Sequence, residues 1–440
     1  MKRSNRRGLS TGTIFMLTLT CLVVIGFCAL LPKLTGNTDI STNAIELAVK
    51  LDESLAQLMG SAQSVQNTAA SKPSNTSIKP ITTPVPTTTP VPTAAAVKRF
   101  SLCATGSIQL DNSTLKCLND KEAGYRFDIM FGGLGSALQS DLTITTLKNS
   151  VIPSKELSST NMPVSLLSTM KQAGIDAVNL AHLTGLNEGI SGLAETKTSI
   201  LSAGMTPVGL YATAEERAAA VAGTSNGVNI GLLSYMNDLA NVGKKKTSAE
   251  EREYAYAPLD IELIRTEIGQ LRQRGAEVVI VSLCWGKSNA TSPTKEQKQL
   301  AQQIADAGAD IILGNNPQAV FPVEVLTAQR GDGKYHPVLC AYSMGNLFTF
   351  DRESRNNLAG ILLRADVQYD PSTKTIAFDN LTYDPTFCWR DSIDGVTRTG
   401  IVPADPNSPP VFLGKKQIDV MERCYNQIVK LMKDSVLEEQ

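Results

Sequence analysis

Histidine is nearly absent: 440 residues contain two, His182 and His336. Imidazole is the commonest side-chain ligand for transition metals and the commonest general base. A di-metal site rich in histidine therefore cannot be assembled from this chain. No two of the eight cysteines stand in a C-x-x-C arrangement, which excludes a zinc ribbon and a thioredoxin-type motif. An excess of either charge is missing too. The 41 basic and 42 acidic residues nearly cancel, leaving a net charge of −1, without the basic excess of a nucleic-acid binder. Aromatic residues are only 5%, but hydrophobic residues reach 42%, enough to build a core.

Cysteines 21 and 28 fall in an N-terminal apolar run, and the other six are Cys103, Cys117, Cys284, Cys340, Cys388 and Cys424. Their even number permits disulfides, and the sequence does not choose a pairing. Cys103, Cys284 and Cys340 sit in apolar strand-like runs, the setting of buried free thiols.

Four basic residues, Lys2, Arg3, Arg6 and Arg7, precede an uncharged run over 8–32. A membrane span needs about 20 apolar residues, and basic flanks stay on the cytoplasmic side. A cleaved leader has an apolar core of only about 7–15 residues and a small-residue cut site. The length of this run, and the Pro32-Lys33-Leu34 that ends it, favour a retained single-pass anchor with everything after it extracytoplasmic. Leu47, Leu51, Leu55 and Leu58 then form an apolar stripe over 42–63, read either as a short self-associating coil or as a lone helix at the membrane surface. Residues 72–97 alternate Pro with Thr and Val. Proline removes donors and fixes φ, so this stretch is expected to be an extended stalk, about 25 residues reaching roughly 75 Å. Its composition is also that of O-glycosylated segments.

From residue 99 onward the pattern is alternating α/β. Apolar strand-like runs lie at 102–108, 142–147, 177–180, 228–235, 277–283, 310–313, 338–342 and 360–367. Helical patterns lie at 163–173, 190–203, 258–274 and 294–307, and each is followed by a glycine: Gly174, Gly204, Gly275 and Gly308. Glycine just past a helix end adopts the left-handed C-cap conformation without a Cβ clash. The unit helix–Gly–strand predicts a mostly parallel sheet flanked by helices. A further amphipathic helix is expected over 417–433, with Ile418, Met421, Ile428, Leu431 and Met432 on its apolar side.

Ligands of open α/β sheets bind beyond the carboxyl ends of the strands. Here those ends carry Gly106-Ser107, Thr146-Leu147-Lys148, His182-Leu183-Thr184, Cys284-Trp285-Gly286, Asn315-Asn316-Pro317-Gln318 and Tyr342-Ser-Met-Gly-Asn-Leu347. Together with Lys171-Gln-Ala-Gly-Ile-Asp-Ala-Val-Asn-Leu-Ala181 and Ala305-Asp-Ala-Gly-Ala-Asp-Ile-Ile-Leu-Gly314, this order of segments resembles the CapA, or poly-γ-glutamate capsule synthesis, family over about 100–350. The resemblance implies a layered α/β sandwich similar to calcineurin-like metallophosphatases. With the composition shifts above, the chain divides into 1–34 (basic tail and transmembrane anchor), 35–66 (membrane-proximal helix), 67–98 (linker), 99–395 (CapA-like domain) and 396–440 (C-terminal loop and helix).

The family's metal-ligand positions do not carry over. Its Gly-Asp is Gly106-Ser107, its Asn-Leu-Glu is Thr146-Leu147-Lys148, and its Asn-Asn-His is His182-Leu183-Thr184. Its His-Trp-Gly is Cys284-Trp285-Gly286, and its His-His-Pro-His is Asn315-Asn316-Pro317-Gln318. Neutral amides and hydroxyls hold divalent transition metals weakly, and Lys148 adds a repelling charge. The expectation is a pseudoenzyme with no metal, no cofactor and no catalytic residue. Its cleft candidates are Ser107, Thr146, His182, Thr184, Cys284, Asn315, Asn316, Gln318 and Asn346. Its expected partners are an anionic surface polymer or capsule-assembly membrane proteins. The competing expectation is an active envelope hydrolase or transferase of different chemistry.

Individual residues have plainer readings. Asn315, Asn316 and Gln318 are a polar ligand cluster or ordinary turn caps. Cys284 and His182 are a thiolate–imidazole pair or, since no third orienting group accompanies them, a buried thiol and an isolated histidine. Trp285-Gly286 and Gly345-Asn346 serve packing and turns, with Asn346 also able to hydrogen-bond a ligand. His336 is expected at the surface and Asp310 at a turn or cap.

Overall fold

Helix ends and strand runs follow local sequence rules throughout the computed structural model, which describes residues 96–440 except 220, 238–240, 353, 394, 434, 436, 437 and 440. The expected anchor, membrane-proximal helix and linker up to residue 95 lie outside the described residues. Among the described residues no helix is long and apolar enough to cross a membrane.

Strand β1 (Lys98–Gln109) leads through α1 (Asn112–Leu118), the short pair β2 (Asn119–Asp120) and β3 (Gly124–Tyr125), and α2 (Phe127–Gly132) to β4 (Leu142–Leu147). Next come α3 (Ser165–Ala173), β5 (Ala177–Asn179), α4 (Gly189–Ser202) and β6 (Thr206–Val208). After α5 (Ala214–Ala219) follow β7 (Val221–Ser225), β8 (Val228–Met236), α6 (Ala249–Ala255), α7 (Ile261–Gln273), β9 (Val278–Cys284), α8 (Lys295–Asp306) and β10 (Ile311–Asn315). The chain then forms β11 (Val323–Gln329), β12 (Tyr335–Ala341), β13 (Asn346–Thr349), β14 (Ala359–Asp370), β15 (Thr375–Ile393), β16 (Val396–Pro403), α9 (Lys415–Met432) and β17 (Glu438–Glu439).

Capping sets the helix boundaries. Asp260 accepts from the Leu263 amide at the start of α7, and Thr294 and Gln297 form a reciprocal capping box at α8, relieving amides that lack intrahelical partners. The glycines after α3, α4, α7 and α8 all have left-handed φ, between 79° and 114°, as the C-cap reading requires. Along α7, Ile264, Ile268 and Leu271 are buried at spacings of four and three, the stripe of a helix lying on a sheet.

Apart from the β2–β3 pair, the strands form two sheets rather than one. The first runs β16-β15-β14-β1-β4-β5-β6, with β13 also on β1 and β17 on β15; the second runs β11-β12-β10-β9-β8-β7. The first is parallel from β1 to its β6 edge and antiparallel from β1 through β14 to β16; the second has a parallel centre and antiparallel pairs at both edges. Strand alternation divides the core into three layers. On β9, Val278 and Ile280 join Leu102, Ile144 and Ile230 between the sheets, whereas Val279, Val281 and Leu283 meet Ile264, Ile268 and Ile304 of α7 and α8. The outer face of the first sheet packs on α3 and α4 through Val178, Leu166, Met170 and Ile200. The order is helix, sheet, sheet, helix. Burial on both faces explains why the central strands read as unbroken apolar runs. The parallel runs were legible as strands and the layered sandwich was implied by the resemblance, but which strands share a sheet and the antiparallel margins were not legible.

Three local expectations change. Residues 396–403, read as the start of a C-terminal loop, form β16 along β15. His336 is not a surface residue: it is 6% exposed, with Nε2 2.8 Å from the Asp332 carboxylate. Asp310 is fully buried and does more than cap a turn. It accepts from Arg272 at 2.5 Å, Arg330 at 2.8 Å and the Val279 amide at 2.7 Å, tying α7 to β9, β10 and the loop after β11. All six cysteines among the described residues are free thiols. Burial pushes Cys103 up to about 12 and Cys388 up to about 11, so neither forms a thiolate at neutral pH.

Removing one partner from a buried charge cluster leaves the others unpaired, at about 3–5 kcal/mol. Asp310→Ala should lower unfolding stability by about that amount in urea titration, with an unchanged m-value.

Candidate functional site

The apolar layer between the sheets ends abruptly at the carboxyl ends of the central strands. On β4 the inward row is Leu142, Ile144 and then Thr146; on β5 it is Ala177 and then Asn179. On β8, Val228, Ile230 and Leu232 lead to Ser234, and on β10 Ile311 and Leu313 lead to Asn315. On β9, Val278 and Ile280 lead to Ser282 and Cys284. Hydrophobic residues thus give way to small polar ones at one level on both sheets.

Hydrogen bonds join that level across the gap. Asn179 donates through Nδ2 to Thr146 Oγ1 at 3.1 Å, and its Oδ1 accepts from Ser234 Oγ of the other sheet at 2.8 Å and from the Ala181 amide at 3.1 Å. All three side chains are at most 5% exposed, and a buried polar group left unpaired costs about 1–3 kcal/mol. The network therefore acts as a lock between the sheets.

A second network holds the end of β1. That strand exchanges its neighbour β14 for β13 at Ser107, where the register shifts. A Cβ on Gly106 would lie 2.7 Å from the Gly345 carbonyl oxygen, so only glycine admits this approach. Ser107 donates to Asn346 Oδ1 at 2.9 Å; Asn346 Nδ2 donates to the Asn357 carbonyl at 2.9 Å; and Asn357 donates to Asp351 Oδ2 at 3.1 Å. Asn346 is thus hydrogen-bonded at both ends within the protein.

Histidine 182 follows β5 and is 4% exposed. Its Nδ1 accepts from the Thr184 amide at 3.2 Å and lies 2.9 Å from Thr184 Oγ1, while the ring also bonds the Leu147 backbone. Burial, then the nearby Lys148 charge, hold the ring down to about 3, so it is neutral at physiological pH. With its nitrogens engaged by residues 147 and 184, the imidazole is not arranged as a base for Cys284, whose side chain is fully buried. Lys148 itself is pushed down to about 8 by burial, against the opposing pull of Cys284 and Asp351.

The loop after β10 carries the remaining candidates. Asn316 donates to the Gly286 carbonyl at 2.8 Å and adopts φ 98°, a turn role; Gln318 has φ 66°. Asn315 is 4% exposed, and its Oδ1 has no hydrogen-bond partner; the Gln318 Oε1 is also unpartnered. Trp285 packs under this loop, donating to the Tyr342 carbonyl at 2.9 Å and stacking on the Tyr342 ring.

The fold therefore brings Ser107 together with Asn346, His182 with Thr184, and Thr146 with Asn179 and Ser234. Asn179, Ser234, Asn357 and Asp351 were missed as members of this layer. Asn179 ends a strand-like run and was within reach of the strand-end rule; the others join only through tertiary contacts. Among the described residues no three His, Cys, Asp or Glu side chains gather so as to hold a metal ion. Hard di-metal sites need several carboxylates and imidazoles. The amides, hydroxyls, ammonium and engaged imidazole at these strand ends do not fit such a pair of ions.

Residues 101–351 match the family model described as bacterial capsule synthesis protein PGA_cap. The PGA biosynthesis protein CapA of Bacillus subtilis (strain 168) is 28% identical over 184 residues, 42% of this chain and 44% of that protein. The capsule biosynthesis protein CapA of Bacillus anthracis is 28% identical over 184 residues, 42% of each chain. The aligned stretch thus spans under half the length of either relative. A novel phosphatase from Mycoplasma pneumoniae aligns with 71% of this chain and 98% of its own at 10% identity, with a TM-score of 0.40.

The histidine carries a pH signature. Its native pKa lies below the unfolded value, so the unfolded chain takes up the proton first as pH falls. Stability should drop by about 1.4 kcal/mol per pH unit below about 6.5, levelling off near pH 3. Between pH 6.5 and 5, urea midpoints should show a loss of about 2 kcal/mol in the wild type that His182→Gln lacks.

Proposed function

Because the chain belongs to the bacterial capsule synthesis (PGA_cap) family, we propose that it is a non-catalytic member of that family. In this reading it is anchored by its N-terminal apolar run, displayed outside the cell on the Pro/Thr stalk, and binds or scaffolds an anionic surface polymer such as poly-γ-glutamate or the membrane proteins that assemble it. Its helix–sheet–sheet–helix layering then derives from a metallophosphatase-like ancestor whose site has lost its ions.

One observation carries this reading. The inward polar layer at the strand ends consists of Ser107, Thr146, Asn179, Ser234, Asn315 and Asn346, joined largely to one another. Catalysis by paired metal ions needs anionic oxygens that hold the cations and a polarised water between them. Neutral amides and hydroxyls supply neither, and an ammonium at the same edge opposes cation entry.

Metal analysis of the full-length chain, purified in detergent without chelator, should find well below one transition-metal ion per chain. Adding millimolar Mn²⁺ should leave the thermal midpoint unmoved, whereas a site at 100 times its Kd would add about 2.7 kcal/mol. About two tightly held ions per chain would overturn the reading.

A further inference from the structure

Among the described residues, the layer at the strand ends carries the Lys148 ammonium and unpaired amide oxygens on Asn315, Gln318 and Asn357. Lys148 is the first residue past β4 and continues the inward row of Leu142, Ile144 and Thr146. Its backbone is fixed on both sides: the amide donates to the Ile108 carbonyl at 2.9 Å, and its carbonyl accepts from Thr184 Oγ1 at 3.4 Å. Its electrostatic neighbours are Cys284, at the end of β9 in the opposite sheet, and Asp351, beyond β13. The ammonium therefore faces the gap between the sheets.

Asn315 stands opposite Cys284 in the β9–β10 register. Its amide oxygen, in a side chain 4% exposed, is left without a partner. Three residues on, the Gln318 Oε1 is also buried and unpartnered, on a backbone held at φ 66°. A non-glycine residue in that region stores of order 1–3 kcal/mol, and such strain gathers where ligands bind. A buried unpaired acceptor costs about 1–3 kcal/mol until something donates to it. A ligand that satisfies this edge must bring negative charge to the lysine and N–H groups to the amide oxygens. Phosphate dianion offers at most a single P–OH donor, on the same compact group that carries its charge, and cannot reach the ammonium and an amide oxygen a residue's length apart. An N-acylated amino-acid carboxylate, the repeating chemistry of an acidic polypeptide, has both.

We propose that Lys148 and Asn315 form a metal-independent binding site for an N-acyl amino-acid carboxylate, the ammonium taking the carboxylate and the Asn315 amide oxygen taking the neighbouring N–H. Lys148 thereby supplies the positive charge that relatives of this architecture would draw from bound ions. The proposal rests on the polymer-binding reading and narrows it to one chemical class.

The test uses the full-length chain in detergent with EDTA present, titrated with N-acetylglutamate, its N-methylated analogue (which lacks the amide N–H) and inorganic phosphate. N-acetylglutamate should bind in EDTA, and the other two at least tenfold more weakly. Lys148→Met should weaken N-acetylglutamate at least tenfold, about 1.4 kcal/mol, and Lys148→Arg should restore most of it. Asn315→Leu should remove the preference for the N–H ligand over the N-methyl one. Thermal midpoints of all three variants, compared with wild type, separate lost binding from lost folding. Wild-type binding that Lys148→Met leaves unchanged would overturn the lysine's role while sparing polymer binding elsewhere. Phosphate binding as tightly as N-acetylglutamate would overturn the ligand class. Binding of none of the three by the wild type would overturn both this site and the polymer reading.

Discussion

Two sheets pressed face to face must end their shared apolar layer somewhere, and at that edge every inward side chain has to find a partner. In this protein the edge is closed by Asn179, which reaches Thr146 in its own sheet and Ser234 in the other. Its position decides how the remaining strand ends are set. β1 and β4 are held beside β5, β8 faces them, and the loops after β5, β9 and β10 emerge around the same line. A polar layer of this kind contributes little net stability when fully satisfied, yet each member is costly to leave unpaired. It therefore fixes the alignment of the sheets more than it strengthens the fold.

Under the proposed reading, the same edge explains how the scaffold of a metal-binding site keeps its shape without the ions. The close approaches of backbone at Gly106 and Gly314 require glycine whatever the neighbouring side chains are: a Cβ on Gly314 would lie 2.1 Å from the Tyr342 carbonyl oxygen. Trp285 supports the loop from beneath through its bond to that carbonyl. These are packing constraints, indifferent to whether the adjacent residues are carboxylates or amides. In that reading, neutral groups at this edge leave the scaffold's shape unchanged while offering cations no anionic ligands. What distinguishes the edge is the partly buried Lys148 and the unsatisfied amide oxygens of Asn315 and Gln318.

Much of the fold was legible from local rules. The four glycine-capped helices fall within a few residues of their expected ranges, because left-handed capping is decided by backbone sterics at a single residue. The central strands were legible because burial on both faces demands unbroken apolar runs. β15 and β16 were not, since half-exposed antiparallel strands mix polar and apolar residues and their register depends on the partner. The buried Asp310 looked like a turn residue for a related reason: Arg272 and Arg330, its partners, are distant in sequence.

The sequence by itself determined which residues stand at strand ends and that these are mostly neutral side chains, since both follow from residue identity and short-range pattern. Only the tertiary structure decided that Asn179 and Ser234 bond across the sheets, that His182 is neutral with its ring engaged, and that Lys148 faces Cys284. Those outcomes depend on which strands face one another and how deeply each group is buried, quantities set by contacts between residues far apart along the chain.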